Sequence, residues 1–176
     1  MSLLNILIHP DKRLRLKASL VSEFNAELNA ITKDMFETMY ELKGIGLAAT
    51  QVNIQKRIVV IDIPENREDG VEATGPLVLI NPEITSFSTE IGSYEEGCLS
   101  LPGQYAEVKR PKSICYSYWD LNGQKWEKES DGLLATCIQH EIDHLNGILF
   151  IDHISKLKRE RLEKRLAKSL KKHAEQ

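Results

Sequence analysis

The chain has 176 residues, 41% of them hydrophobic and 28% charged, with a formal net charge of −3. That length suits one domain able to bury a core without disulfide staples. The longest apolar runs, Ile58 to Ile61 and Leu77 to Ile80, are strand-sized and far short of the roughly 18–20 residues that a bilayer helix needs. Leu3 to Ile8 is short, has no basic residue before it and runs into His9-Pro10-Asp11-Lys12, which argues against a secretory signal and for the cytoplasm. Three cysteines, Cys98, Cys115 and Cys137, form an odd set that fits free thiols in a reducing compartment, at least one of them a candidate ligand.

In chain order, Leu28, Ile31, Met35, Met39 and Leu42 recur at helical spacing and predict an amphipathic helix from about Asn25 to Lys43, capped by Gly44. Gly44 and Gly46 bracket Ile45 ahead of the lean segment Leu47 to Val52, which suits close backbone approach to a ligand. Arg57 to Ile63 and Pro76 to Ile80 read as buried strands, with an exposed loop from Pro64 to Gly70 between them. Tyr105 to Trp119 reads as one strand, and Asn122-Gly123 turns it back through Gln124 to Glu129. Ser130 or Asp131 then caps a helix running to about Asn146 and ended by Gly147. After a short apolar piece, Ile148 to Ile151, a final helix is expected from about Ser155 to His173.

Charge is segregated along the chain: residues 1–154 carry 14 Lys and Arg against 23 Asp and Glu, whereas residues 155–173 carry 9 against 2. A basic tail on an acidic body suits a polyanionic partner, although a solvated helix face is the commoner cause of such a run. The expected organisation is a catalytic body over residues 1–154 and a basic helix over 155–176 in the same domain. The expected fold class is α+β, with antiparallel β-sheets around a central metal-binding helix, an N-terminal helix and a C-terminal helix.

The strongest chemical signal is His140-Glu141-Ile142-Asp143-His144. On a helix, i and i+4 side chains stack over one another, so both imidazoles can reach one ion at about 2.0–2.1 Å. Glu141 is left free to handle the proton of an activated water. A tetrahedral ion that keeps one position open still needs a third protein ligand. The metzincin spacing fails, because Phe150 stands where its last histidine would be. A downstream glutamate, Glu160 or Glu163, would lie among lysines and arginines that pair with it more readily. His153 is available, but a histidine near a helix start more often has a structural role. Cys137 lies seven residues from His144, about 10.5 Å along the axis at 1.5 Å per residue, which favours lining the pocket over ligation. Cys115 falls in an aromatic-rich strand and is expected in the core. Cys98 follows Gly97 and precedes Pro102 in a segment whose backbone is constrained.

Three segments, Gly44-Ile45-Gly46-Leu47-Ala48-Ala49-Thr50-Gln51, Glu96-Gly97-Cys98-Leu99-Ser100 and Gln139-His140-Glu141-Ile142-Asp143-His144, closely resemble in order and spacing the signature motifs of the peptide deformylases. The resemblance covers nearly the whole chain. It implies that Cys98, His140 and His144 bind one divalent ion, that Glu141 is the acid/base, and that Gln51 and the Leu99 backbone N–H stabilise the oxyanion. It implies Fe(II) as the native ion, with Zn, Ni or Co able to occupy the site. Thiolate and imidazole suit all four, so ligand type alone does not choose.

The implied reaction is hydrolytic removal of the N-formyl group from the methionine that begins a newly made polypeptide. Ile45, Leu133 and Cys137 are expected to line the methionine pocket with His140 as one wall, and Gly46 to offer its backbone to the extended peptide. The implied partners are N-formylmethionyl peptides and nascent chains, with the ribosome docking on the basic C-terminal helix and no membrane involved. Two positions depart from the family pattern. Tyr105 stands where some members carry arginine, and Thr136 replaces a commoner aliphatic residue beside the methionine pocket. Two other functions use the same residues differently: a zinc endopeptidase on the same helix, and a ribosome- or RNA-binding module with a structural metal.

Overall fold

The structure is a computed structural model that describes residues 2–65 and 70–175. Its elements in chain order are α1 (Ala26–Glu41), β1 (Gly46–Ala48), β2 (Ile58–Ile61), β3 (Leu77–Phe87), β4 (Ile91–Cys98), β5 (Leu101–Pro111), β6 (Ser113–Trp119), β7 (Lys125–Asp131), α2 (Gly132–Leu145) and α3 (Lys156–Ala174). Five strands pair in the order β1-β2-β3-β6-β7, and β4 and β5 form a separate two-stranded sheet. Every pairing is antiparallel. This is the expected α+β arrangement.

The apolar run of β2 follows from its place in the sheet. Successive side chains of a strand point to opposite faces. Val59 and Ile61 face the core that includes Ile138, Ile142 and Leu145 of α2. Ile58 and Val60 face the core that includes Leu28, Met35 and Met39 of α1. One strand is therefore sandwiched between two helices, and β-branched residues at all four positions have somewhere to be buried.

Helix α1 starts where Asn25 accepts a hydrogen bond from the Leu28 N–H, as an N-cap side chain should. Its end differs from the sequence reading. Lys43, with φ of 57°, takes the left-handed position expected of Gly44, while the Gly44 N–H bonds the Met39 carbonyl at 2.9 Å. Gly44 is closely packed: a Cβ there would stand 3.0 Å from Leu99 Cδ1 and 3.3 Å from Met39 Cγ.

Three other expectations change. Tyr105 to Trp119 is two strands, because the chain leaves the small sheet at Pro111 and joins the large one at Ser113. The strand from Pro76 does not stop at Ile80 but continues to Phe87. It passes Asn81, whose positive φ of 50° and side-chain bonds to both the Val21 N–H and carbonyl accompany a register shift. Cys115 is only half-buried rather than fully in the core. Of the loop expected over 64–70, positions 66–69 lie outside the described residues.

Helix α2 begins after Asp131 and ends at Leu145. Gly147 then turns with φ of 74°, where a Cβ would fall 2.4 Å from the Arg15 carbonyl oxygen; only glycine fits both conditions. Helix α3 starts at the cap Ser155 and buries Leu162 and Leu166 against Leu101, Val108, Phe150 and Ile151. Burying each leucine is worth about 1.5–3 kcal/mol. No helix among the described residues is long and apolar enough to cross a membrane.

Candidate metal centre and its cleft

Helix α2 is amphipathic in an unusual sense: Gln139, His140, Glu141 and His144 are all buried. Buried polar side chains are costly unless they find partners, and here the partners come from the small sheet. Strand β4 brings Cys98 within 3.2 Å of His144 Nε2, and His144 Nε2 lies 3.3 Å from His140 Nε2. One donor atom from each of Cys98, His140 and His144 falls within 4.8 Å of the others.

These residues fit a metal ion on three counts. Two nitrogens each about 2.0–2.1 Å from a tetrahedral ion stand about 3.3–3.4 Å apart, which is the His140–His144 separation. The His140 Nδ1 lies 2.9 Å from Glu96 Oε1; with its proton held there, Nε2 keeps a lone pair facing the centre, the arrangement of metal-ligating histidines. The third count is electrostatic. Burial works against the imidazolium form of His140, but Cys98 and Glu96 outweigh it and push its pKa well above the ordinary value. Burial and the neighbouring His140 hold His144 well below it. That field favours positive charge at the centre, which an ion taking the place of the His140 Nε2 proton would supply.

Glu141 does not join that cluster. Its carboxylate lies against the Gly46 backbone, so close that a Cβ on Gly46 would stand 2.6 Å from Glu141 Oε1. Its Oε2 is buried and has no hydrogen-bond partner. Burial dominates and pushes the carboxyl up to about 7, with His140 and Arg110 pulling the other way. A carboxylate poised near neutrality that lines the cleft has the profile of a general base.

Gln51 is fixed from both ends. Its Oε1 accepts from the Ala48 N–H at 3.0 Å, and its Nε2 donates to Ser100 Oγ at 3.1 Å and lies 3.4 Å from Cys98 Sγ. The amide N–H₂ therefore points at the same centre as the thiol. A cleft of about 480 Å³ opens over this centre and is lined by Ile45, Gly46, Gln51, Cys98, Leu99, Leu133, Cys137, His140 and Glu141, together with Tyr105 and Thr136. A larger groove of about 740 Å³ lies elsewhere and holds none of Cys98, Glu141 or the two α2 histidines.

Among the described residues, none of those weighed against ligation joins the cluster. Phe150 stacks on the His140 ring, with centroids 6.2 Å apart. Glu163 is taken by His9 at 3.0 Å and Arg159 at 3.2 Å, and Glu160 lies 3.9 Å from Lys156. His153 bonds Asp143 at 2.8 Å. Tyr105 lies across Gly97, where a Cβ would be 2.5 Å from its ring.

Sequence reasoning gave no role to Glu96, Arg110 or Ser100. Arg110 meets Glu96 through Nε at 2.7 Å and Nη2 at 3.0 Å. Burial would raise the Glu96 carboxyl, but His140 and Arg110 outweigh it and hold it at about 2. Two signals could have found the pair. Glu96 shares the parity of Cys98 on one strand, and Arg110 shares the parity of the core residue Val108 on the next.

Comparison with known proteins agrees with this geometry. A family model described as polypeptide deformylase matches residues 3–160. The peptide deformylase of Methylocella silvestris is 53% identical over 176 residues, covering 100% of this chain and 89% of that protein. The one from Zymomonas mobilis is 53% identical over 171 residues, covering 97% of each. A crystal structure of a peptide deformylase from Legionella pneumophila superposes with a TM-score of 0.90 at 41% identity, covering 99% of each chain. One from Ehrlichia chaffeensis in complex with actinonin does so with 0.89 at 44%, covering 96% of this chain and 98% of that one. With sequence, fold and the three converging segments in agreement over almost its full length, the chain belongs to the polypeptide deformylase family.

Proposed function

We propose that the protein hydrolyses the N-formyl group from the methionine that begins newly made polypeptides, releasing formate and a free amine. The observation that carries this reading is that Glu141, with Oε2 buried and unpartnered, lines the same cleft as the cluster residues Cys98 and His140 in a chain of this family. Cys98, His140 and His144 would hold one divalent ion, Fe(II) by family resemblance, with Zn, Ni or Co as substitutes. Such an ion, when bound, lowers the pKa of water and polarises the formyl carbonyl.

The chain's own groups do the rest. Glu141 takes the proton of the attacking water and returns it to the departing amine nitrogen, a base that becomes an acid. Gln51, held through Nε2 by Ser100 Oγ and through Oε1 by the Ala48 N–H, donates from Nε2, as the Leu99 N–H does, to the oxygen on which charge develops; one such donor is typically worth about 3–4 kcal/mol in the transition state. Ile45, Leu133 and Cys137 receive the methionine side chain, and Gly46 pairs its backbone with the extended peptide. Residues 1–154 form the catalytic body, and residues 155–176, which carry α3, belong to the same domain, a division supported by the burial of Leu162 and Leu166.

The exposed face of α3 beyond Leu166 carries Lys168, Lys171 and Lys172, which supports ribosome docking through RNA phosphates. The cytoplasm, where nascent formylated chains are made, is the matching compartment. Ribosome association should weaken steeply with salt; association indifferent to salt, or none, contradicts the docking. For the activity itself, formyl-Met-Ala-type peptides should yield free amine and formate while unformylated peptides stay intact. Cleavage of internal peptide bonds with indifference to formyl would instead establish the endopeptidase reading.

A further inference from the structure

The cluster is tied to the far side of α2 by a continuous chain of contacts. From His140 Nδ1 it runs through Glu96 to Arg110, and the third nitrogen of the Arg110 fork, Nη1, donates to Asp143 Oδ2 at 2.8 Å. His153 Nε2 meets the same Asp143 oxygen at 2.8 Å. Glu96 and Arg110 are buried, and Asp143 and His153 become progressively more exposed, with side chains 18% and 34% accessible. Arg110, Asp143 and His153 form part of the wall of the 740 Å³ groove, so the chain ends at a surface separate from the substrate cleft.

We propose that Asp143 and His153 are positioning residues for the metal ligand His140, acting through Arg110 and Glu96. The inference rests on the reading of Cys98, His140 and His144 as ligands. His140 presents Nε2 to the centre only while Nδ1 has a fixed acceptor, and that acceptor, Glu96, is a buried carboxylate that stays ionised beside a cation. Arg110 supplies the cation side-on through two of its nitrogens. A guanidinium is planar and rigid, so its orientation on Glu96 is set by whatever its remaining face meets. That partner is Asp143, which sits on α2 one turn from His140 and directly before His144. The helix that carries two ligands thus also carries the anchor that aims the first of them. His153, in the short turn ahead of α3, holds the other side of Asp143 and links the position of that turn to the site.

A role confined to folding stability predicts lower thermal stability with unchanged metal handling, so the deciding readout is metal release. The full chain is loaded with Co(II), and release to a chromogenic chelator is followed with the visible spectrum. Asp143→Ala should release the ion about 10–100-fold faster, the range typical for loss of an outer partner of a metal ligand, and should shift the d–d bands. Asp143→Asn, which keeps an oxygen for Arg110, should restore most of the slow release. His153→Ala removes a partly exposed side chain and should give a smaller acceleration in the same direction, which tests the chain even if Asp143→Ala does not fold. Release and spectrum unchanged in His153→Ala, and in Asp143→Ala where it folds, would overturn the proposal while leaving the ligand assignment intact. An unsubstituted chain that takes up no Co(II) would overturn both.

Discussion

Helix α3 carries far more ionisable side chains than α2, and the two helices use them in opposite ways. Of the fourteen residues of α2, ten are buried, among them both histidines and Glu141; of the nineteen in α3, two are buried, Leu162 and Leu166. Apart from Arg159 and Glu163, which pair with Asp152 and His9 at its start, charge on α3 is largely solvated, so substitution of its exposed lysines costs little. Gln139, His140 and His144 Nε2 on α2 find partners on strands β4 and β5, whereas Glu141 Oε2 is left without one. Chemistry resides where desolvation makes each contact expensive to lose.

That contrast can be broken or sharpened by substitution, beginning with α2. Glu141→Gln keeps the shape and removes the base; kcat/KM for a formyl peptide should fall by about 10²–10⁴-fold with metal content unchanged. Near-normal turnover would remove Glu141 from the chemistry. Gly46→Ala tests the same carboxylate from its other side. Its Cβ would meet Glu141 Oε1 at 2.6 Å, and since that oxygen ends a flexible side chain, the fold should survive while the base is displaced. Steady-state kinetics should show kcat reduced by about 10–100-fold, in line with small misplacements of catalytic groups. An unchanged kcat would mean that Glu141 does not work from this position.

Helix α3 separates into an inner and an outer face. Leu166→Ala removes a fully buried side chain, and denaturant unfolding should show a loss of about 2–5 kcal/mol. Lys171→Ala and Lys172→Ala should stay within about 0.5 kcal/mol of the parent. Comparable losses at the lysines would mean that the outer face is packed rather than solvated.

The same contrast explains what the sequence disclosed. Helix α2 and the Asn122-Gly123 turn were legible because their signals are local: two histidines at helical spacing, and a dipeptide suited to positive φ. The Asp120 side chain reinforces that turn by accepting from the Asn122 and Gln124 N–H groups. Strand β4 was missed because its sheet has only two strands and is largely solvent-facing, so Ser93, Glu95, Glu107 and Lys109 blur the apolar alternation that marks a buried strand. The break at Lys112 was missed for a related reason: β-forming residues run on both sides of Pro111, and nothing local says that the two halves join different sheets. Glu96 and Arg110 were silent because each looks like an ordinary surface charge until the other, fourteen positions away, is placed beside it. Ligand assignment drew on family resemblance for Cys98, since a thiol on a strand has no periodicity relating it to a helix more than forty residues later.

The most direct test of the central claim joins metal content to turnover in a single titration. Protein purified without oxygen is stripped with a chelator, reloaded stepwise with Fe(II) or Co(II), and assayed for formate release from a formyl-Met peptide, alongside Cys98→Ala treated identically. The account predicts that activity vanishes on stripping and returns in proportion to metal up to one ion per chain, while Cys98→Ala fails to hold the ion and stays inactive. Full deformylation by the stripped chain, or stoichiometric metal and normal turnover in Cys98→Ala, would contradict it.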